Sequence, residues 1–286
     1  MPELPEVEAL SKRLDERTRG RVVTRLEVAS ISALKTYDPP VSALKGATVR
    51  RVERRGKYVC MRIGDNWLVL HLARGGWVKW RDSLTANAGR PSRGPLALRV
   101  GFAEGDGFDV TEMGTEKRLA LWVARDPADI EGVATLGPEP LDPALTKARL
   151  GELLAGEKGD LKHALSHQSL IAGVGNAYSD EVLHAARLSP FKPAAKLSAE
   201  ELGRLHTALV EVVGAAVERA SRLDLAELKD GKRQHMSVHG RTGEACPVCG
   251  DTVREVSFAT RSLQYCPTCQ TGGKPLADRR LSRLLK

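Results

Sequence analysis

Apolar residues recur at helical spacing from the start of the chain: Val7, Leu10 and Leu14 share one stripe of Leu4–Arg17. With Pro5 suited to an opening turn, the spacing predicts an amphipathic helix that begins almost at the terminus. Between Val22 and Val123 the pattern shortens to β-rich runs, among them Val22–Val28, Tyr58–Ile63, Trp67–Leu72, Leu98–Phe102 and Leu119–Val123. Turn-formers separate them, including Gly64-Asp65-Asn66 and the stretch from Gly89 to Pro95, so an antiparallel sandwich or barrel is expected. Beyond the breaker Gly137-Pro138-Glu139-Pro140 the period turns helical, through Leu150, Leu153 and Leu154, then Leu161 and Leu165, then Val182, Leu183 and Ala186. Ser198 and Glu201 have capping-box spacing ahead of Leu202, Leu205, Leu209, Val212, Val213 and Ala216, which marks the clearest helix of an all-helical middle third. From about Gln234 short β runs return, and the chain ends in a basic tail.

With 286 residues, 42% of them hydrophobic, the chain is long enough for two or three modest domains. Its formal net charge of +8 makes a polyanionic partner plausible, although a solvated surface can be equally basic. Residues 232–286 alone hold ten Lys or Arg against four acids, so the excess is concentrated at one end. No apolar run approaches the roughly 18 residues of a membrane span, and no basic segment leads into an apolar one at the N-terminus. A soluble cytosolic protein is the expectation.

Four of the five cysteines form two pairs, Cys246-Pro-Val-Cys249 and Cys266-Pro-Thr-Cys269, with sixteen residues between them. Four thiolates at this spacing predict one tetrahedral structural Zn2+, with no position left open for chemistry. Cys60, alone in a predicted strand, reads as core. Between the pairs, Thr260-Arg261-Ser262 suits a hairpin tip whose Arg clamps a phosphate, or is a solvated loop. At the other end, Pro2 follows the initiator, so removal of Met1 exposes a secondary amine. With a reference pKa of about 7.7–8.0, such an amine is partly unprotonated near neutrality. Beside it, Glu3 offers a carboxylate able to shuttle protons.

The opening Pro2-Glu3-Leu4-Pro5-Glu6-Val7-Glu8, Lys57 within Arg55-Gly56-Lys57-Tyr58, Leu136-Gly137-Pro138-Glu139-Pro140-Leu141, Gly173-Val174-Gly175-Asn176-Ala177-Tyr178 and the cysteine quartet occur in this order. Together they resemble the formamidopyrimidine-DNA glycosylase and endonuclease VIII family across residues 2–270. The resemblance implies a multidomain α+β protein: an N-terminal β-sandwich with flanking helices (residues 1–130), a helix-two-turns-helix domain (131–232) and a zinc finger (233–272), followed by the tail (273–286). It also implies a bifunctional DNA glycosylase and AP lyase that works as a monomer on damaged double-stranded DNA bound between its lobes. Pro2, Glu3 and Lys57 would be catalytic. Pro2 attacks C1′ of the flipped-out nucleoside and Glu3 protonates the ring oxygen. Lys57, Asn176 and Arg261 would hold phosphates, while Glu6 orders the nucleophile.

The chain departs from the family pattern in its loops. Where members that excise oxidised purines carry a wedge Met, His71-Leu72-Ala73-Arg74-Gly75-Gly76 places Arg74, whose guanidinium can instead stack on bases. The second wedge segment, Arg-Phe-Gly, has no counterpart in Thr111–Leu119. Residues Lys232-Arg233-Gln234-His235-Met236 look shortened relative to the loop that covers a flipped purine, and Gln168 resembles the endonuclease VIII branch although the opening Leu4-Pro5 resembles the purine branch. Oxidised or ring-opened purines, oxidised pyrimidines and abasic sites therefore all stay open as substrates. Two other classes compete: a catalytically silent damaged-DNA-binding protein of the same fold, and a zinc-ribbon interaction module. The retained Pro2-Glu3 pair speaks against both, because binding alone has no need of a terminal amine.

Overall fold

The computed structural model describes residues 1–84, 94–231, 233–258 and 262–277. Helix α1 (Leu4–Thr18) forms where the apolar stripe predicts it, with Leu10 and Leu14 fully buried and Val7 1% exposed. Among the described residues of the first unit, eight strands follow: β1 (Val23–Val28), β2 (Val49–Arg55), β3 (Tyr58–Ile63), β4 (Asn66–His71), β5 (Gly76–Arg81), β6 (Leu96–Phe102), β7 (Gly107–Glu112) and β8 (Ala120–Ala124). They make two antiparallel four-stranded sheets, ordered β1-β6-β7-β5 and β2-β3-β4-β8. Alternation sends Val59, Met61, Ile63, Leu68, Leu70, Leu121 and Val123 of one sheet and Val78, Leu98, Val100, Phe108 and Val110 of the other into a single core. The predicted sandwich is therefore present, and the α1 stripe belongs to the same core.

The chain divides into two compact units, Met1–Thr135 with Arg219–Gly231, and Leu136–Glu218 with Lys232–Lys286. In the first, helix α2 (Glu131–Ala134) follows β8, and Ala220, Leu225 and Leu228 of the later segment complete the core. Arg13 of α1 holds that segment through the carbonyls of Ser221 and Leu223.

The second unit carries α3 (Lys147–Ala155), α4 (Leu161–Ser166), α5 (Asn176–Ala185) and most of α6 (Ala199–Ser221). The capping box ahead of α6 is made as predicted: the Glu201 amide donates to Ser198 Oγ, and the Ser198 amide to the Glu201 carboxylate. Leu205, Leu209, Val213 and Ala216 are buried on one face. After the one-turn helix α7 (Leu228–Gly231) of the first unit come the two-stranded sheet of β9 (Arg254–Ser257) and β10 (Ser262–Tyr265) and helix α8 (Pro267–Thr271). Arg261, Lys232 and the tail cations Arg279, Arg280, Arg283 and Lys286 lie outside the described residues.

Register fixes which loops meet at one end of the sandwich. Arg55 pairs with Tyr58 across the β2–β3 turn, Tyr58 with His71, and Gly76 with Glu112. Helix α1 runs alongside β2, Asp15 accepting the Val52 amide and Glu8 pairing with Arg54 at 2.5 Å. The start of α1, the β2–β3 turn and the β4–β5 and β7–β8 loops therefore share that end.

Candidate active site

Pro2 stands immediately before Glu3, the N-cap of α1, and is half-buried. Glu3 and Glu6 are 2% and 4% exposed, and the Glu6 carboxylate accepts the Glu3 backbone N–H at 2.8 Å. Both acids sit where the unpaired amides of a helix start favour negative charge. With Leu4 and Val7 buried beneath them, the first turn is anchored on the core and Pro2 with it. The Pro2 nitrogen is acylated by Met1, which is 46% exposed, so the amine appears only when Met1 is removed.

Lys57 follows Gly56, whose φ of +54° makes the tight β2–β3 turn. The lysine is 6% exposed. Its charge acts on His71, whose pKa is pushed down to about 4 by burial and, secondarily, by Lys57. The imidazole is therefore neutral near pH 7 and rests 4.9 Å from the Tyr58 ring. His71 was not singled out from sequence. Its partnership with Tyr58 depends on the β3–β4 register.

Arg74 is exposed on the β4–β5 loop, after Ala73, a non-glycine residue held at φ +50°. Gly75 touches the β7–β8 loop so closely that a Cβ there would lie 2.1 Å from the Met113 carbonyl oxygen. The Met113 amide donates to the Gly75 carbonyl at 2.9 Å, and the Met113 side chain is 55% exposed. The buried Glu112 carboxylate closes the loop by accepting the amides of Arg118 and Leu119 at 2.6 and 2.8 Å. A cation and an apolar thioether thus project from two loops bonded to each other. The sequence singled out Arg74 for this position and not Met113.

In the second unit Gln168 works on backbone. Its Nε2 donates to the carbonyls of Ser166 and Val174, and its Oε1 accepts the Gly173 amide at 3.0 Å. It shapes the glycine turn, with Gly173 at φ +82°, that delivers Asn176 to the start of α5. Asn176 Nδ2 donates to the Ser262 carbonyl at 2.8 Å, which ties Asn176 to the residue after Arg261.

The sulfur atoms of Cys246, Cys249, Cys266 and Cys269 lie within 4.8 Å of one another, with Cys246–Cys269 at 3.9 Å and Cys249–Cys266 at 3.3 Å. A tetrahedron with bonds of about 2.3 Å has edges of about 3.8 Å, so the donor set and its spacing suit one zinc ion. His184 Nε2 lies 3.2 Å from Cys246 Sγ and can orient that ligand.

The N-terminal domain model of formamidopyrimidine-DNA glycosylase matches residues 1–114, its helix-two-turns-helix model residues 136–225, and the zinc-finger model shared with isoleucyl-tRNA synthetase residues 243–272. A formamidopyrimidine-DNA glycosylase of Symbiobacterium thermophilum is 36% identical over 281 residues, covering 94% of this chain and 89% of that protein. An uncharacterised formamidopyrimidine-DNA glycosylase-like protein of Mycobacterium tuberculosis is 58% identical over 151 residues, 53% of this chain and 94% of its own length. Among solved structures, the MutM (Fpg) protein of Thermus thermophilus superposes with a TM-score of 0.80 at 32% identity, over 96% of this chain and all of that one. The Lactococcus lactis glycosylase non-covalently bound to DNA containing an AP site gives 0.81 at 28% identity, over 94% and 99% of the two chains. Among the described residues no helix is long and apolar enough to cross a membrane.

Proposed function

The chain belongs to the formamidopyrimidine-DNA glycosylase family and is a DNA-repair glycosylase; from that premise we propose that it also acts as an AP lyase through Pro2. The observation that carries this reading is the seating of Pro2 one residue before the N-cap of a core-anchored helix, beside the buried Glu3 and Glu6. With Met1 removed, the Pro2 nitrogen attacks C1′ of a nucleoside flipped out of damaged duplex DNA. The glycosidic bond breaks as the damaged base departs, and Glu3 protonates the ring oxygen as the sugar opens to an iminium. The iminium acidifies the C2′ proton. Its loss expels the 3′ phosphate, and a second elimination expels the 5′ phosphate. Lys57, Asn176 and Arg261 hold phosphates around the opened sugar, Arg74 contacts bases, Glu6 keeps Glu3 in place through its backbone amide, and Gln168 supports Asn176 through the glycine turn. When bound, zinc supplies rigidity to the module that presents Arg261. No partner subunit is required.

The test is borohydride trapping on a duplex with one abasic site, using protein whose Met1 removal is verified by mass. A covalent adduct that disappears in Pro2→Gly supports the imine. No adduct from the verified protein would transfer the reading to a catalytically silent damaged-DNA binder.

A further inference from the structure

Asp180 on α5 is fully buried, and neither the proposed chemistry nor the zinc site uses it. Both its oxygens are engaged from outside the helix. Oδ1 accepts from Lys162 Nζ of α4 at 2.6 Å, and Oδ2 lies 2.7 Å from His239 Nδ1, in the segment that leads into the cysteine module. Because an ionised carboxylate only accepts, Nδ1 carries the proton. Lys162, itself 5% exposed, also donates to Ser179 Oγ at 2.8 Å and to the Asn176 carbonyl at 2.6 Å. The ammonium therefore grips the first turn of α5, the turn that carries Asn176. A buried ammonium needs its carboxylate held in place, and here His239 supplies the second hold.

The imidazole is not needed to fix its own stretch of chain. Glu181 already does so, since its carboxylate accepts the amides of Ser237, Val238 and His239 at 2.6 to 2.9 Å. What remains for the His239 side chain is Asp180.

We propose that His239 is a positioning residue for phosphate recognition, acting through Asp180 and Lys162 to fix the first turn of α5 and so the direction of Asn176. The bond from Asn176 to the Ser262 carbonyl extends the same constraint to the β9–β10 hairpin. This rests on the reading of Asn176 as a phosphate ligand. Ligands to a bound phosphate lose most of their value when held about 1 Å too loosely, so the effect falls on DNA affinity and not on chemistry at Pro2.

The experiment compares the full zinc-loaded protein with His239→Phe, which keeps a ring and removes the donor, and His239→Asn, which restores an N–H near the Nδ1 position. Three quantities are read: zinc content, the salt dependence of Kd for a duplex with a stable abasic analogue, and half-saturation and saturated rate on an abasic-site duplex. His239→Phe is expected to keep one zinc per chain, raise Kd and half-saturation about tenfold, and lower the slope of log Kd against log salt by about one, with an unchanged saturated rate. His239→Asn should return to within about twofold of the native values, which a role in packing alone would not produce. Should His239→Phe lose zinc, the smaller His239→Leu makes the same comparison. Native-like affinity without the donor, or failure of His239→Asn to restore it, overturns the proposal. A native protein that binds the analogue duplex but traps no DNA refutes the lyase and leaves Kd to decide this inference. One that binds no DNA refutes both.

Discussion

Acid should weaken the first unit through His71 in a way that can be isolated from every carboxylate. Burial and the nearby Lys57 charge hold the folded-state pKa at about 4, against 6.5 for an ordinary imidazole. Between those values the unfolded chain carries a proton that the folded chain lacks, so stability falls as pH drops through 6.5, and this contribution levels off below about 4. At about 1.4 kcal/mol per pH unit, the interval amounts to about 3 kcal/mol in full and about 2 kcal/mol at pH 5. His71→Phe keeps a ring against Tyr58 and removes the titration. All four tryptophans, Trp67, Trp77, Trp80 and Trp122, belong to Met1–Thr135, so their fluorescence during urea unfolding follows the first unit alone. Measured at a series of pH values from 7 to 4, native stability should lose ground on the variant by these amounts, while carboxylate titrations common to both cancel. Parallel curves would refute the claim that His71 is held neutral. Lys57→Met should recover only part of the effect, because the lysine charge is the lesser cause.

Chelation should release one zinc per chain, read with a chromophoric indicator, and raise Kd for abasic-analogue duplex more than about tenfold while leaving tryptophan-detected unfolding of the first unit unchanged. Arg74→Ala and Met113→Ala should each slow trapping on duplex about tenfold and spare trapping on a single-stranded abasic oligonucleotide, where no stack has to be refilled. Equal losses on both substrates would remove the two loops from base contact. Gly75→Ala, with its Cβ placed 2.1 Å from the Met113 carbonyl oxygen, should cost about 1–3 kcal/mol in the same fluorescence assay and impair duplex trapping as well.

Features governed by short-range rules were legible in the sequence. The stripe Val7, Leu10, Leu14 became α1, Ser198 and Glu201 became a capping box, and the two cysteine pairs became a four-sulfur cluster. Strand β2 was not named from sequence, because Val-Arg-Arg-Val-Glu-Arg-Arg reads as a charged run. It becomes a strand since Val49 and Val52 reach the core, while Arg51 and Arg55 lie over the Trp67 ring at 5.1 and 6.0 Å. The motifs located Gln168 and Asn176 but gave no sign that Gln168 spends its amide on the glycine turn. Met113 and the Asp180–His239 pair were invisible for a different reason. Their meaning arises from contacts across 38 and 59 residues, and no local pattern encodes which distant group a side chain will meet.

The acylation of Pro2 by Met1 has a consequence for how the protein is handled and made. On the proposed mechanism the nucleophile is manufactured by a processing peptidase, not by folding, so any N-terminal affinity tag yields a folded chain that still grips lesions and never cuts them. Such a preparation is a competitor of its own mature form. In a cell, the ratio of trimmed to untrimmed chains would set whether damaged sites are processed or merely occupied.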